Sequence, residues 1–253
     1  MFISRSLRAK ATQLRSSPLQ IRNRRRSYYT VDHPDPTPFS ETESAILSSA
    51  LSRVPTHGFS QKALKLGARD AGYLDVSTNL FPRGTFDLVN YHLVTRRMAL
   101  KEEVQFPELD TQSGNKLGVG ARVRILALAR LRANKDIIGK WQDAIAIMAQ
   151  PSYVSASLSE LARLSDEIWY LAGDKAVDAS WYTKRATLSA IYSAAELHQT
   201  QDQSPNFIET ERFLDSRLED LRKVSSLAGG FGGWVGYTAQ SAVNVLRSKG
   251  VKI

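Results

Sequence analysis

The chain has 253 residues, with 34 Lys and Arg against 25 Asp and Glu, four His and no Cys. Hydrophobic residues make up 42% and charged residues 23%, the composition of a globular protein with a packed core. The absence of cysteine excludes a disulfide framework, a zinc-thiolate centre and a cysteine nucleophile.

A net charge of +9 and a pI near 9.8 point first to nucleic acid, but the charge is concentrated at one end. Residues 1–28 carry Arg5, Arg8, Lys10, Arg15, Arg22, Arg24, Arg25 and Arg26, and no acid. The remainder holds 26 basic residues against 25 acidic ones and is nearly neutral. An Arg- and Ser-rich, acid-free segment with Phe2, Ile3, Leu7 and Leu14 on one side of a helix has the composition of a mitochondrial transit peptide. The alternative is a basic tail that binds nucleic acid or lipid. Residues 29–40 contain three prolines in a short polar run and are expected to be a linker.

From Ser40 onward helical patterns dominate. Ser40 and Glu43 fit a capping box, apolar residues follow at helical spacing, and Pro55 with Gly58 is expected to stop the helix. A short helix is expected from about Ser60 to Ala71, a shorter piece from Asp75 to Leu80, and a long helix from Thr85 to Val104. The apolar run VRILALARLRA forms the next. Residues 139–150 and 152–172 read as two helices separated by Pro151, and residues 179–199 and 206–225 as two more around the turn DQSPN. No segment alternates with period two for long enough to be a strand. The fold class is all-α.

Sites of chemistry are scarce. No Glu-x-x-His pair precedes His57, His92 or His198, so the helix-bundle di-iron pattern is absent, and no HExxH, Walker A or GxSxG motif occurs. The sequence therefore points to a protein that is not an enzyme, with no cofactor and no metal. An enzyme acting on a quinone head group remains the third alternative.

Two stretches carry a resemblance. Ala50-Leu51, Val54, Gly58-Phe59, Ala68, Ala71-Gly72-Tyr73, Leu80-Phe81-Pro82 and Asp87-Leu88 resemble the helix-turn-helix of tetracycline-repressor (TetR) regulators. The blocks DEIWYLAGD, SWYTKRA and DQSPNF are more specific. Over roughly residues 43–225 the chain is similar to the ninth-protein family of ubiquinone (coenzyme Q) biosynthesis, which has a TetR-like fold. The resemblance implies a homodimeric accessory protein on the matrix side of the mitochondrial inner membrane. It implies an isoprenoid or quinone lipid in a helical pocket. It also implies contact with the di-iron demethoxyubiquinone hydroxylase and membership of a larger biosynthetic complex.

Five segments follow: transit peptide 1–28, linker 29–40, helix-turn-helix-like 41–84, helical lipid-binding and dimerisation 85–225, and a membrane-associating amphipathic helix 226–253. Trp141, Met148, Trp169 and Tyr192 are expected pocket walls, while Leu126, Leu128, Ile145, Leu161 and Ile168 read as plain core. Trp181, Tyr182 and Arg185, in the SWYTKRA block, are placed by the resemblance on the partner-facing surface. Val224 to Leu246 lacks charge but carries five glycines, which suits a helix lying in the interface better than a span. Its apolar face holds Leu227, Phe231, Trp234 and Val245, and docking against protein is the alternative. A DNA-binding regulator is the competing function. The expected recognition segment, Tyr73 to Leu80, has no Lys or Arg, so nucleic acid is not expected as a partner.

Overall fold

The computed structural model describes residues 38–107, 117–174 and 180–227, with the side chains of residues 180 and 223–227 left aside. Among the described residues there are eight α-helices and no strand. They are α1 (Glu41–His57), α2 (Gln61–Asp70), α3 (Thr85–Glu103), α4 (Val119–Arg132), α5 (Trp141–Met148), α6 (Pro151–Leu171), α7 (Ser180–Gln199) and α8 (Ile208–Leu227). The expected transit peptide, most of the expected linker and residues 228–253 lie outside the described residues.

The α1 start follows from its sequence. Ser40 Oγ accepts from Glu43 N, and the Glu43 carboxylate accepts from Ser40 N at 2.7 Å, so two otherwise orphaned donors are satisfied. Of the pair Pro55 and Gly58 expected to stop the helix, Pro55 falls inside the last turn and α1 ends at His57, just before Gly58. The proline ring removes the N–H that would donate to the Leu51 carbonyl, and α1 carries that missing bond in its last turn. Gly58 ends α1 at φ 65°, with its N–H donating to Val54 O at 2.8 Å. Pro151 stands between α5 and α6, as expected, and occupies the first position of α6, where no N–H is needed. The piece from Asp75 to Leu80 is a 3₁₀ turn.

Two apolar clusters form the core. The first joins α1, α2, the start of α3 and α5 through Ile46, Leu47, Val54, Leu64, Leu88 and Trp141. The second joins the end of α3 with α4, α6, α7 and α8 through Leu100, Leu126, Leu131, Ile168, Ile191 and Leu214. Helix α3 therefore threads both. Close packing of α1 on α2 depends on Gly67, where a Cβ would lie 2.4 Å from Ala50 N. A buried ion pair, Arg97 Nε to Glu160 Oε1 at 2.6 Å, ties α3 to α6. On the far side, Arg124 of α4 donates to both Glu211 and Asp215 of α8.

The DQSPNF block has a local physical explanation. Asn206 and Phe207 adopt φ 55° and 59°, a left-handed conformation that most residues avoid. Asp202 holds this turn by accepting from Ser204 N at 2.8 Å, Thr210 N at 2.8 Å and Thr210 Oγ1 at 2.6 Å. The block is thus a clamp between α7 and α8.

Candidate functional site

A cavity of about 370 Å³ opens where α3, α4, α5, α6 and α7 meet. That volume sits near the low end of the roughly 300–1,000 Å³ typical of small-molecule sites. Leu93, Ile145, Met148, Leu161 and Leu164 supply an apolar wall. Val154, Leu158 and Leu197 also line it and are exposed at 37%, 59% and 51%, so they form its rim.

The deep end is polar. Arg130, Tyr192 and Glu196 line it and are buried. They belong to a network centred on Asn134. Asn134 Oδ1 accepts from Arg130 Nη1 at 2.8 Å and pairs with His92 Nε2 at 2.8 Å. Asn134 Nδ2 donates to Glu196 Oε1 at 3.1 Å, and Tyr192 O–H donates to the same oxygen at 3.2 Å. Burial pushes the Glu196 carboxyl up, against the opposing pull of Arg130, Asn134 and Tyr192. Burial also lowers the His92 pKa to about 3, so its ring is neutral, and Arg130 adds to that shift. The same desolvation keeps Tyr192 protonated.

The four expected pocket residues divide. Met148 and Tyr192 line the cavity. Trp141 does not: it is fully buried in the first core cluster, edge-on to Phe59 and His92 at 5.8 and 5.1 Å. On the short helix α5, Trp141 and Ala144 turn toward that core, and Ile145 and Met148 toward the cavity. Trp169 is also off the cavity, donating its indole N–H to Lys184 O at 3.2 Å between α6 and α7. Of the residues read as plain core, Leu126, Leu128 and Ile168 are buried there, whereas Ile145 and Leu161 face the cavity. The polar cluster escaped sequence reasoning. Its trace is a charged residue inside an apolar helix, with Arg130/Asn134 and Tyr192/Glu196 each spaced one turn apart.

A second, surface groove lies between α6 and α7 and is lined by Asp166, Trp181, Tyr182, Arg185, Ala186 and Ser189, among others. The structure brings Trp181, Tyr182 and Arg185 together. The two aromatic rings meet edge-on at 4.7 Å, and the Arg185 guanidinium lies 3.9 Å from the Trp181 ring centroid. Tyr182 is 74% exposed. The side chain of Leu227 and the whole of Phe231, Trp234 and Val245 fall outside what is described.

Among the described residues no group of three or more His, Asp or Glu is placed to hold a metal, and no helix is long and apolar enough to cross a membrane. In the N-terminal part of the described chain, Arg53 of α1 is paired with Asp70 of α2 at 2.7 Å, Arg69 of α2 with Asp75 at 2.6 Å, and Arg83 with Asp87 at the start of α3 at 2.7 Å.

Residues 154–225, which span most of α6, α7 and α8, match the COQ9 family model. The chain is 38% identical over 228 residues to the ubiquinone biosynthesis protein coq9, mitochondrial, of Schizosaccharomyces pombe, covering 90% of this chain and 88% of that protein. It is 33% identical to the human protein of the corresponding name and 35% identical to that of Drosophila melanogaster. Those matches cover 74% and 69% of this chain and only 60% and 53% of the two relatives. With the first of these relatives matched along nearly its whole length, the chain belongs to the COQ9 family.

Proposed function

We propose that this protein is a non-catalytic accessory of mitochondrial ubiquinone biosynthesis that binds prenylated quinone intermediates and presents them to the demethoxyubiquinone hydroxylase. The observation that carries the reading is the α3–α7 cavity, with its apolar wall and solvent-facing rim of Val154, Leu158 and Leu197. An apolar recess that opens through exposed apolar side chains suits a long-chain amphiphile better than a polar metabolite. The relatives' names supply the pathway and the compartment, and the acid-free residues 1–28 agree with the latter.

In this reading residues 41–84 form a helix-turn-helix-like lobe that no longer reads DNA, and residues 85–225 hold the lipid and the dimer contact. Residues 226–253 bind the matrix face of the inner membrane. The groove at Trp181, Tyr182 and Arg185 receives the hydroxylase. Carboxylates beside Arg53, Arg69 and Arg83 offset part of the positive charge that phosphate contacts need.

Mass spectrometry of lipids that copurify with the folded protein tests the reading. A prenylated aromatic lipid at near-stoichiometric amount is expected. A protein that is lipid-free after mild purification and takes up no prenyl lipid from vesicles overturns it.

A further inference from the structure

Exposed apolar side chains gather on the short 3₁₀ turn after α2. Leu74, Val76 and Leu80 are 76%, 63% and 46% exposed, and Tyr73 just before them is exposed as well. A lone exposed leucine is ordinary, but several on one turn mark a contact surface. The turn is fixed at both ends. Tyr73 N–H donates to Ala68 O at 2.8 Å where α2 closes, and Phe81 is buried in the first core cluster. Within the turn, Asp75 and Thr78 share one side, three residues apart, and Asp75 reaches Arg69 of α2. Val76 and Leu80 occupy the other sides.

Basic side chains line the neighbouring helix. Lys62, Lys65 and Arg69 recur at i, i+3 and i+7 of α2 and are exposed. Arg69 is paired with Asp75, whereas Lys62 and Lys65 make no ion pair among the described residues. Hydrogen bonds from Arg69 hold the Asp75 carboxyl below its ordinary value, and the charge of Lys65 adds to that pull, which puts Lys65 near the turn.

The turn also adjoins the cavity mouth. Three residues past Leu80, the Arg83 carbonyl accepts from Tyr153 O–H at 3.4 Å, and the Phe86 and Tyr153 rings stack at 4.4 Å. The residue after Tyr153 is Val154, which belongs to the cavity rim.

We propose that this turn is a membrane contact: Leu74, Val76 and Leu80 enter the headgroup layer of an anionic bilayer, Lys62 and Lys65 meet its phosphates, and the cavity mouth is held at the lipid surface. Apolar side chains at headgroup depth beside lysines are how interfacial segments hold to anionic lipid. A protein partner fits less well. A stable protein interface takes about 20–30 residues a side, and this turn offers four apolar ones. A small contact suffices for a membrane when a second one, such as residues 226–253, acts with it by avidity. What the contact is for rests on the cavity being a lipid site; the contact itself does not.

The chain has no cysteine, so Val76→Cys carries a single environment-sensitive dye. On vesicles of phosphatidylcholine and phosphatidylglycerol the dye emission is expected to shift to the blue, and added salt to reverse part of the shift. Leu74→Ser/Val76→Ser should keep the parent's melting temperature and lose roughly tenfold in vesicle affinity, because the burial of two apolar side chains is removed. Lys62→Gln/Lys65→Gln should lose severalfold on these vesicles and nothing on pure phosphatidylcholine. A dye that stays in water while the protein floats with the vesicles, or a serine double variant that binds as well as the parent, overturns the contact. A blue shift that needs no vesicles and grows with protein concentration, or that appears only with the hydroxylase, assigns the turn to a protein partner and overturns it too. Uptake of geranylgeraniol is scored separately, from vesicles and from detergent solution, and the serine double variant should fall behind the parent only from vesicles. A parent that takes up the alcohol from neither source removes the lipid reading of the cavity, and the membrane contact then stands or falls on the dye and the affinities.

Discussion

The Arg185 guanidinium is held between two partners: it lies 3.9 Å from the centroid of the Trp181 ring one turn earlier and donates Nε to Asp166 of α6 at 2.6 Å. Arg185 also donates Nη1 to Trp181 O at 3.3 Å. The Trp181 ring is thus fixed on the α7 surface before any partner arrives, and Tyr182 stands beside it largely in solvent. Pre-ordered aromatics lose little entropy on binding, which is why such residues dominate interface hot spots.

Tyr182→Ala should therefore leave stability within about 0.5 kcal/mol of the parent, as is usual for an exposed side chain. The same variant should weaken capture of the hydroxylase by roughly tenfold or more. Arg185→Ala should do both kinds of damage: it loses a stacked cation and a buried-end ion pair, at about 1–3 kcal/mol of stability. Thermal melts and pulldown with purified hydroxylase measure the two effects. Undiminished pulldown by Tyr182→Ala and Trp181→Lys, both folded, removes the groove as the contact.

How much of this was legible from the sequence differs by feature. Helices with strong local signals were readable, as at Ser40 and Glu43, where capping is a four-residue affair. Pro55 and Gly58 were read together as the helix stop, and it is Gly58, with its positive φ, that ends α1. Met148 and Tyr192 were readable as pocket residues only through the resemblance. Trp141 and Trp169 were not separable from them, because which face of α5 or α6 meets a void is decided by neighbouring helices. The Asn134 network joins residues on three distant segments, His92, Arg130/Asn134 and Tyr192/Glu196, and a one-turn spacing is too common to single it out.

The rim offers a direct test of lipid entry. Leu158 is 59% exposed and Leu197 51%, so neither contributes much to the core. Leu158→Asp and Leu197→Glu should each change stability by no more than about 0.5 kcal/mol. Charge at the mouth opposes passage of an apolar chain, so extraction of prenyl lipid from vesicles should fall severalfold in each and further in the double variant. Equal extraction by parent and double variant shows that lipid does not pass Leu158 and Leu197.

Gly67 tests the joint between α1 and α2. Alanine raises helix propensity by about 1 kcal/mol over glycine in a helix interior. Here the added Cβ would fall 2.4–2.5 Å from the Ala50 backbone and Cβ, so the helices must separate. Overpacking of this kind costs roughly 1–3 kcal/mol, and backbone contact puts the site at the upper end. Gly67→Ala should lower the midpoint of urea unfolding, whereas Gly120→Ala, with nothing within 4 Å of its Cβ, should leave it level or raise it.

Acid should act on two sites in separate windows. His92 titrates near 3 in the folded protein, lowered first by burial and then by Arg130, against about 6.5 in an unfolded chain. Its neutral form is the native one, so its contribution is complete above about pH 6.5 and declines as pH falls toward 3, by at most roughly 1.4 kcal/mol per pH unit. Asp202 behaves differently. Burial pushes its carboxyl up, but hydrogen bonds from Ser204 and Thr210 outweigh that and hold it at about 2. Its contribution is present above about pH 4 and is lost as pH falls toward 2. Glu196 opposes His92, because burial raises its pKa and it favours folding at low pH. Urea midpoints of the parent, His92→Gln and Asp202→Asn should separate these effects. His92→Gln should flatten the slope between about pH 6.5 and 4, and Asp202→Asn the steeper fall below about pH 4. If His92→Gln keeps the full slope of the parent above pH 4, the ring at position 92 is not the group that titrates there.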